Sequence, residues 1–296
     1  MPSLKDLKNR IKSVKSTQKI TKAMKMVAAS KLRRAREAAE SLRDYASAME
    51  RMVARLAGDY EGMDNAPLLL AGTGKQQTHL IIVATADRGL CGAFNSSIVR
   101  AVRKRARELK SDRKQVRLYC IGKKGRDFLN FEFGEDIIGF RTDTSRRNID
   151  YAGAEAIARE ILNHVEGGEI DVVTIIYNRF KSVISQIVTV QQLMPLLFQG
   201  EEFAGGADAT IHAAHDYEPE EETILKDLLP RNFAMQIYRA LLESAASEQG
   251  ARMNAMENAT KNAGEMIKKI TLKYNRTRQA NITKELIEII SGAEAV

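Results

Sequence analysis

The segment ITKAMKMVAASKLRR, residues 20–34, lies inside a long run of helix-forming residues that decides the fold of this chain. No Pro or Gly occurs between Pro2 and Gly58. Apolar residues recur at alternating spacings of three and four, which is the pattern of a coiled-coil seam. The predicted seam residues are Leu4, Leu7, Ile11, Val14, Met24, Val27, Ala38, Leu42, Tyr45, Met49, Met52 and Leu56. One helix of this length would extend roughly 80 Å.

The C-terminal part of the chain repeats this pattern. Its predicted seam residues are Leu242, Ala245, Gln249, Arg252, Met256, Thr260, Ala263, Ile267, Ile270, Tyr274 and Thr277. Pro230 suits the first turn of this second helix or a kink just before it. Because such long patterns without internal caps are typical of coiled coils, the two ends of the chain are predicted to pair as antiparallel helices.

Between these helices, β-rich runs alternate with helical segments. Strands are predicted at 79–86, 116–121, 171–177 and 184–190, and helices at 95–109, 122–131 and 151–165. This alternation indicates a mainly parallel sheet with helices on its faces. The predicted fold class is therefore α/β, a long antiparallel coiled coil with an inserted Rossmann-like domain. The predicted domains are residues 1–57, 78–198 and 220–296, and the predicted linkers are 58–77 and 199–219.

The net charge of +8 is distributed unevenly along the chain. Residues 1–36 carry twelve Lys and Arg against one acid, and residues 100–126 carry twelve against two. Residues 199–224 carry eight acids and no Lys or Arg. This asymmetry points to charged partners at particular faces.

Three interpretations of the basic N-terminal helix stay open at this stage. It could be a solvated face of the coiled coil, a surface for an acidic protein, or a nucleic-acid-binding element that contacts phosphates. Because no aromatic residue precedes Tyr45, the basic segment has no side chain on which a base could stack.

No stretch of the sequence predicts catalysis, a cofactor or a metal. The segment GTGK, residues 72–75, resembles the end of a phosphate-binding loop, but Leu69 stands where the first Gly is needed. The segment HAAHD, residues 212–216, offers two imidazoles and a carboxylate without an evident third strong ligand. Cys91 and Cys120 have no metal-ligand spacing, and we expect two buried, inert thiols. The sequence also contains no apolar run long enough to span a membrane and no secretory signal.

Four segments resemble the gamma subunit of the F-type ATP synthase. They are the segment 20–34, DRGLCG at 87–92, SEQGARM at 247–253 and NRTRQANITKELIEIISG at 275–292. The resemblance covers essentially the whole chain, in the same order of long helix, α/β domain and long helix. It implies a central-stalk rotor that transmits torque, with no catalytic residue of its own, since catalysis in this family belongs to the beta subunits.

The resemblance also implies partners. In this family the coiled coil lies inside a hexamer of alpha and beta subunits, and the foot joins the epsilon subunit and the ring of c subunits. Since the chain starts with its own Met at the family's mature N-terminus, we expect a bacterial protein on the cytoplasmic side of the inner membrane. The acidic segment Glu201–Glu222 lies where the family's foot meets the ring and epsilon, although a solvated loop is an equal alternative.

Particular residues match the family's contact positions. Met24 matches a methionine beside the acidic lever segment of beta, and Lys25 is one of the lysines that would complement that acidity. Arg252 matches an arginine that contacts a beta loop, with Gln249 nearby. Three further positions match sites where the C-terminal helix influences coupling, although helix packing is an alternative role for them. These are Gln279, Thr283 and Glu285.

Overall fold

The computed structural model describes residues 3–58, 66–142, 150–196 and 221–294. Two long helices occupy the ends of the chain, α1 at Leu4–Gly58 and α6 at Glu221–Glu294. The chain divides into two compact units. The first unit consists of Met1–Ser30 and Arg252–Val296, and the second of Lys31–Ala251, so both long helices contribute to each unit.

The second unit contains an α/β domain whose elements agree with most of the prediction. Its strands are β1 (Thr78–Ala84), β2 (Gln115–Ile121), β3 (Ile137–Arg141), β4 (Val172–Phe180) and β5 (Gln186–Met194). Its helices are α2 (Leu68–Ala71), α3 (Phe94–Ser111), α4 (Lys123–Phe133) and α5 (Tyr151–Glu166). The sequence did not predict β3, or α2 within the expected linker 58–77. The other expected linker, 199–219, lies outside the described residues.

The five strands form one sheet in the order β3-β2-β1-β4-β5. Strands β1 to β4 run parallel, and β5 pairs with β4 in the antiparallel direction. Because the chain moves outward from β1 to β3 and then returns to β4, the strand order reverses between β1 and β4. In sheets of this class, that switch point is where ligands bind, beyond the carboxyl ends of the strands.

Helices cover both faces of the sheet. On one face, α3 and α4 pack on β1 and β2, with Ile98 and Leu129 fully buried. On the other face, Ile161 of α5 and Phe233 and Ile237 of α6 lie in one apolar cluster with Leu80, so the C-terminal helix completes the core of the sheet. The predicted coiled coil with an inserted α/β domain is confirmed.

Pro230 does not mark the start of helix α6. Pro230 lies inside α6, which starts at Glu221, and not at the first turn or just before the helix. In the second unit, Leu225 and Leu229 of this early part pack against Val53 and Leu56 of α1. Apolar contact with α1 therefore stabilises the turns on the N-terminal side of Pro230.

In the first unit, α1 and α6 pair in the antiparallel direction. The hydroxyl groups of Thr21 and Thr260 lie 2.7 Å apart, and Lys25 Nζ lies 3.1 Å from Glu257 Oε2. From Thr21 to Lys25 the residue number rises along α1, while it falls from Thr260 to Glu257 along α6, so the two helices run antiparallel. The predicted C-terminal seam from Met256 to Thr277 is half-buried or buried at every position, as expected.

The N-terminal seam was predicted in the wrong frame at three positions. Val27, Tyr45 and Met52 are exposed, while the next residue along the chain is buried in each case, Ala28, Ala46 and Val53. Gln18 and Thr21 occupy the seam where the prediction had a gap. A small residue in the seam lets two helix axes approach closely. In each of these three pairs of neighbouring apolar residues, the smaller residue faces inward and the larger one is left exposed.

Candidate partner-binding surface

The first half of α1 presents both cations and apolar groups to solvent. Seven lysines of this helix are exposed: Lys5, Lys8, Lys12, Lys15, Lys19, Lys22 and Lys31. Ile20, Met26 and Val27 are also exposed, each with more than half of its surface accessible. A polar and solvated helix face would not leave three large apolar side chains uncovered within about two turns. This face is suited to a partner that offers apolar contacts together with acidic groups.

Met24 and Lys25 lie beside this face. Met24 is half-buried against the seam. Lys25 forms an ion pair with Glu257 of α6, and its hydrogen bond and positive charge lower the pKa of that carboxyl group. Lys25, which was predicted as a partner contact, thus has a carboxylate partner within the chain. The exposed residues Ile20, Met26 and Val27 were missed, and the signal that could have found them is the correct seam phase.

The seam itself is polar in the middle of the first unit. Thr21 Oγ1 also lies 3.1 Å from the carbonyl oxygen of Gln18, and Thr260 Oγ1 lies 2.8 Å from that of Met256. One of the two hydroxyls donates to the other, and the hydroxyl that accepts this bond donates to the carbonyl group of its own helix. Gly264 lies opposite Gln18, because a Cβ added there would stand 3.1 Å from Gln18 Nε2. Hydroxyl pairs and a glycine allow the helices to lie close without a large apolar interface. The hydroxyl groups of Thr21 and Thr260 and the glycine at 264 also fix the register in which α1 and α6 pair.

Among the described residues, no helix pairs with the last part of α6. Extending the register of Thr21 and Thr260 places Leu4, the start of α1, near Thr277. Beyond this point α6 is exposed at residues 278–287 and 289–291. Gln279, Thr283 and Glu285 all belong to this exposed part, and Thr283 Oγ1 donates to the carbonyl group of Gln279. Large apolar residues are exposed here as well: Ile282, Leu286, Ile287, Ile289 and Ile290.

Arg252 and Gln249 lie one turn apart on α6. Arg252 is half-buried in the first unit. Gln249 is buried in the second unit, and its amide nitrogen lies 3.4 Å from Glu248 Oε1. Of the predicted contact residues, Gln249 is therefore the least accessible, whereas Gln279, Thr283 and Glu285 are the most accessible.

Helix α6 crosses the carboxyl edge of the sheet at the switch point. Ser244 Oγ donates to the carbonyl oxygen of Ala84 at the end of β1. A Cβ added to Gly250 would lie 3.0 Å from the ring of Phe180 at the end of β4. Ala251 then packs in the apolar cluster under α3 and α4. The crevice in which a Rossmann-like sheet binds a nucleotide is filled by the protein's own helix.

The loop that follows β1 is also engaged by the domain itself. Asn95 Oδ1 accepts a hydrogen bond from the backbone amide of Ala86, and Thr85 Oγ1 accepts one from the amide of Gly125. The amide of Lys123 donates to Asp87 Oδ1. In nucleotide-binding domains, amides at such loops and helix starts bind phosphate oxygens. In this chain the amides of Ala86, Lys123 and Gly125 donate instead to side chains of the same domain.

The segment 72–75 is a structural turn. Thr73 Oγ1 donates to Asp171 Oδ1 at 2.6 Å, and Asp171 Oδ2 accepts from the amides of Gln77 and Thr78. Burial acts to raise the pKa of Asp171, but these hydrogen bonds outweigh it and lower the pKa. Asp171 holds the turn against the amino end of β1. Gly72 and Gly74 are therefore residues of this structural turn.

Metal and thiol chemistry receive no structural support within the described residues. These residues contain no group of three His, Cys, Asp or Glu that could hold a metal ion. Residues 212–216, the weak candidate from the sequence, lie outside the described ranges. Cys91 and Cys120 are buried, as predicted, and burial raises the pKa of the Cys120 thiol to about 12. Among the described helices, none is long and apolar enough to cross a membrane.

Comparisons with known proteins agree along the whole chain. The ATP synthase family model matches residues 3–296. The ATP synthase gamma chain of Rhodospirillum rubrum is 58% identical over 299 residues, which cover all of both chains. The ATP synthase gamma chain of Fuscovulum blasticum is 57% identical over 296 residues, again covering both chains completely.

Solved structures show the same similarity. One is a chain from the central stalk and c-ring of the Tetrahymena thermophila mitochondrial ATP synthase, with 34% identity and a TM-score of 0.63. The match covers 81% of this chain and 99% of that one. A chain of the Euglena gracilis mitochondrial ATP synthase shares the fold at 21% identity, with a TM-score of 0.66 over 99% of this chain and 94% of that one.

Proposed function

The chain belongs to the ATP synthase gamma-chain family, and we propose that it is the central-stalk rotor of a proton-translocating F-type ATP synthase. In this role it carries torque between the membrane c-subunit ring and the catalytic alpha/beta hexamer to drive ATP synthesis. Full-length identity of 58% to an ATP synthase gamma chain supports this assignment most directly. The alternative, a basic coiled-coil protein that binds nucleic acid, gains no support from these relatives.

The surface of the first unit supports the part of the proposal that concerns torque. A rotor can change the conformation of surrounding subunits only through contacts that differ between them. The exposed face of α1 combines lysines with Ile20, Met26 and Val27, and the exposed end of α6 is rich in isoleucine. An acidic segment of a beta subunit would meet the former, and an apolar sleeve of the hexamer would surround the latter.

We assign the contacts residue by residue from the family pattern. Met24 and Lys25 contact the acidic segment of beta, and Arg252 contacts a beta loop with Gln249 behind it. Gln279, Thr283 and Glu285 influence coupling from the exposed part of α6. Functionally, residues 1–57 and 220–296 form the coiled coil, and residues 78–198 form the foot that joins the epsilon subunit and the c-subunit ring.

We further propose that this chain performs no catalysis itself and that ATP is made on its partners. The observation behind this proposal is the filled switch point, where Ser244 and Gly250 of α6 occupy the crevice of the sheet. The proposed location is the cytoplasmic side of the inner membrane, as a peripheral subunit held by its partners.

Rotation of a label on the foot tests the proposal. Lys104 on α3 has 80% of its side chain exposed, so Lys104→Cys offers a thiol for a bead. The native cysteines are both buried, so the chain without the substitution is the labelling control. The complex would be purified from its native membranes and fixed to a surface through its beta subunits.

The expected result is rotation of the bead in one direction when ATP is added. Continued ATP hydrolysis with a stationary bead would refute the torque-carrying role. Failure of the tagged chain to co-purify with alpha, beta and epsilon subunits would refute the proposed assembly. ATP hydrolysis by the purified chain alone would refute the non-catalytic assignment.

A further inference from the structure

The two edge strands of the sheet differ in how they are protected from further pairing. Strand β3 is five residues long, contains Gly139 and ends at the exposed Arg141. Its register with β2 is also irregular. Short length, irregular pairing and a charged side chain are devices that keep an edge strand from pairing with another chain. Strand β3 is therefore a protected edge, and β5 forms the opposite edge of the sheet.

Strand β5 has none of these protections along most of its length. It is nine residues long, and its sequence QIVTVQQLM contains no charged residue, glycine or proline. From Gln186 to Gln192 its register with β4 is unbroken. Among the described residues, no strand pairs with its outer edge. A long, regular and uncharged edge of this kind is a ready template for another strand.

The polar side chains of β5 form hydrogen bonds inside the second unit. The amide nitrogen of Gln191 donates to Gln236 Oε1 on α6, and that of Gln192 donates to the carbonyl oxygen of Pro195. The amide nitrogen of Gln186 donates to carbonyl groups of the turn that precedes the strand. In an antiparallel pair, every second residue directs its main-chain N–H and C=O groups away from the neighbouring strand. These main-chain groups of β5 are the donors and acceptors that a partner strand would meet.

Apolar side chains beside this edge are left uncovered. Val190 has 53% of its surface exposed, and Ile184, in the turn before β5, has 83%. Val188 packs against the apolar cluster under α3 and α4, and Val190 lies on the same side of the strand because side chains alternate. A strand added beside β5 would continue this apolar side over Val190. The side chains that suit a position beside valine are β-branched or aromatic.

We propose that the outer edge of β5 pairs with a strand of a partner protein that turns with this chain. The partner strand is uncharged and carries β-branched or aromatic side chains beside Val188 and Val190. Rotation of the partner with the chain rests on the proposed rotor function, because a row of main-chain hydrogen bonds would otherwise have to break at every turn. The pairing itself rests only on the edge of β5.

Hydrogen exchange tests the pairing by comparing the chain purified from its native membranes, with its partners bound, and the isolated full-length chain. We expect the outward-facing amides of β5, every second one, to exchange at least about ten-fold more slowly with partners bound, because each must first break a hydrogen bond. The amides of β3 should exchange equally in the two samples and are the internal control.

Two lysine substitutions locate the contact. The slow exchange should be lost in Val190→Lys, because a charge then enters the paired edge. It should be kept in Phe131→Lys, which introduces the same charge at a fully exposed residue of α4. Rapid exchange at β5 with partners bound, or slow exchange that persists in Val190→Lys, would overturn the proposal. Slow exchange in the isolated chain would also overturn it, since the chain itself or a second copy would then cover the edge.

A crosslink separates the pairing from the rotor function. Ser185→Cys places a thiol in the exposed turn beside this edge, and both native cysteines are buried. Joining this thiol to the bound partner should leave the ATP turnover of the same variant unchanged, because the two proteins turn together. Loss of turnover on crosslinking would overturn the rotation of the partner. A stationary bead in the rotation experiment, with slow exchange at β5, would refute the rotor function and leave the pairing supported.

Discussion

The two units of this chain use the same pair of helices in different ways. In the second unit, α6 is buried against the sheet and against α1, and Leu225, Val53 and Ile237 are essentially inaccessible. In the first unit, the same two helices meet along a narrow seam and leave Ile20, Leu272 and Ile289 exposed. Apolar surface stabilises the fold in one unit and is available to partners in the other.

This contrast separates stability from function along the chain. Substitutions in the second unit should change the free energy of unfolding with little effect on an assembled complex. Substitutions on the exposed faces of the first unit should change the ATP turnover or proton pumping of the complex without unfolding the chain. Four substitutions examine this separation, beginning with the largest effect.

Gly122→Ala should destabilise the second unit most. Gly122 has a φ of +96°, and an added Cβ would lie 2.1 Å from the carbonyl oxygen of Thr85. Backbone strain and the clash together should lower the free energy of unfolding by about 3 kcal/mol, as measured by urea denaturation. Gly168→Ala is the control, since Gly168 has a φ of +70° and open space around its Cβ position. Equal losses for the two variants would contradict the close-packing explanation.

Arg252→Ala should lower ATP turnover of the assembled complex about ten-fold, since a hydrogen bond to a charged group contributes about 1.5–3 kcal/mol. The amount of complex recovered should not change. Arg276→Ala, an exposed arginine on the same helix, serves as the control. If Arg252→Ala instead reduces assembly while turnover per complex stays normal, Arg252 has a structural role.

Met24→Lys should weaken coupling between hydrolysis and proton pumping. A new cation beside Lys25 would form an extra ion pair with acidic partner groups at some rotary positions only. A partly exposed ion pair contributes about 1 kcal/mol, which corresponds to about a five-fold change in the rate of a rotary step, so fewer protons should be pumped per ATP. Met24→Gln is uncharged and separates the effect of charge from that of polarity. An unchanged pumping ratio in Met24→Lys would contradict the proposed contact.

Thr260→Val should have the smallest effect and should act on stability alone. It removes the hydrogen bond between Thr21 and Thr260 at 2.7 Å, and we expect a loss of about 1 kcal/mol in the free energy of unfolding. Thr283→Val removes a hydroxyl that bonds only within its own exposed helix, and its effect should stay below about 0.5 kcal/mol. A larger loss in Thr283→Val than in Thr260→Val would contradict the role of the polar seam.

Periodicity was sufficient to predict the long helices, but not the frame of every contact. The seam of α6 from Met256 to Thr277 was correct because few apolar residues compete for those positions. On α1, Val27 and Ala28 stand side by side, and only pairing with another helix selects the smaller one. The partner roles of Met24, Lys25, Gln249, Arg252, Gln279, Thr283 and Glu285 came from family resemblance and stay predictions.

Tertiary contacts explain what the sequence could not predict. Strand β3 was missed because it is short and contains Gly139, a residue that normally weakens strands. That glycine is needed because a Cβ there would lie 2.3 Å from the ring of Tyr119 on β2. The filled switch point was equally hidden, since Gly250 and Phe180 are far apart in the sequence and meet only in the folded chain.

The contribution of α6 to the core of the sheet has a consequence for synthesis on the ribosome. Phe233, Ile237 and Leu241 cover one apolar face of a sheet whose strands all precede residue 195. Those strands emerge from the ribosome well before the residues that cover them. Until α6 is synthesised, this face of the sheet is exposed in the nascent domain. A chaperone that shields apolar surface would therefore be needed most during the synthesis of the last third of the chain.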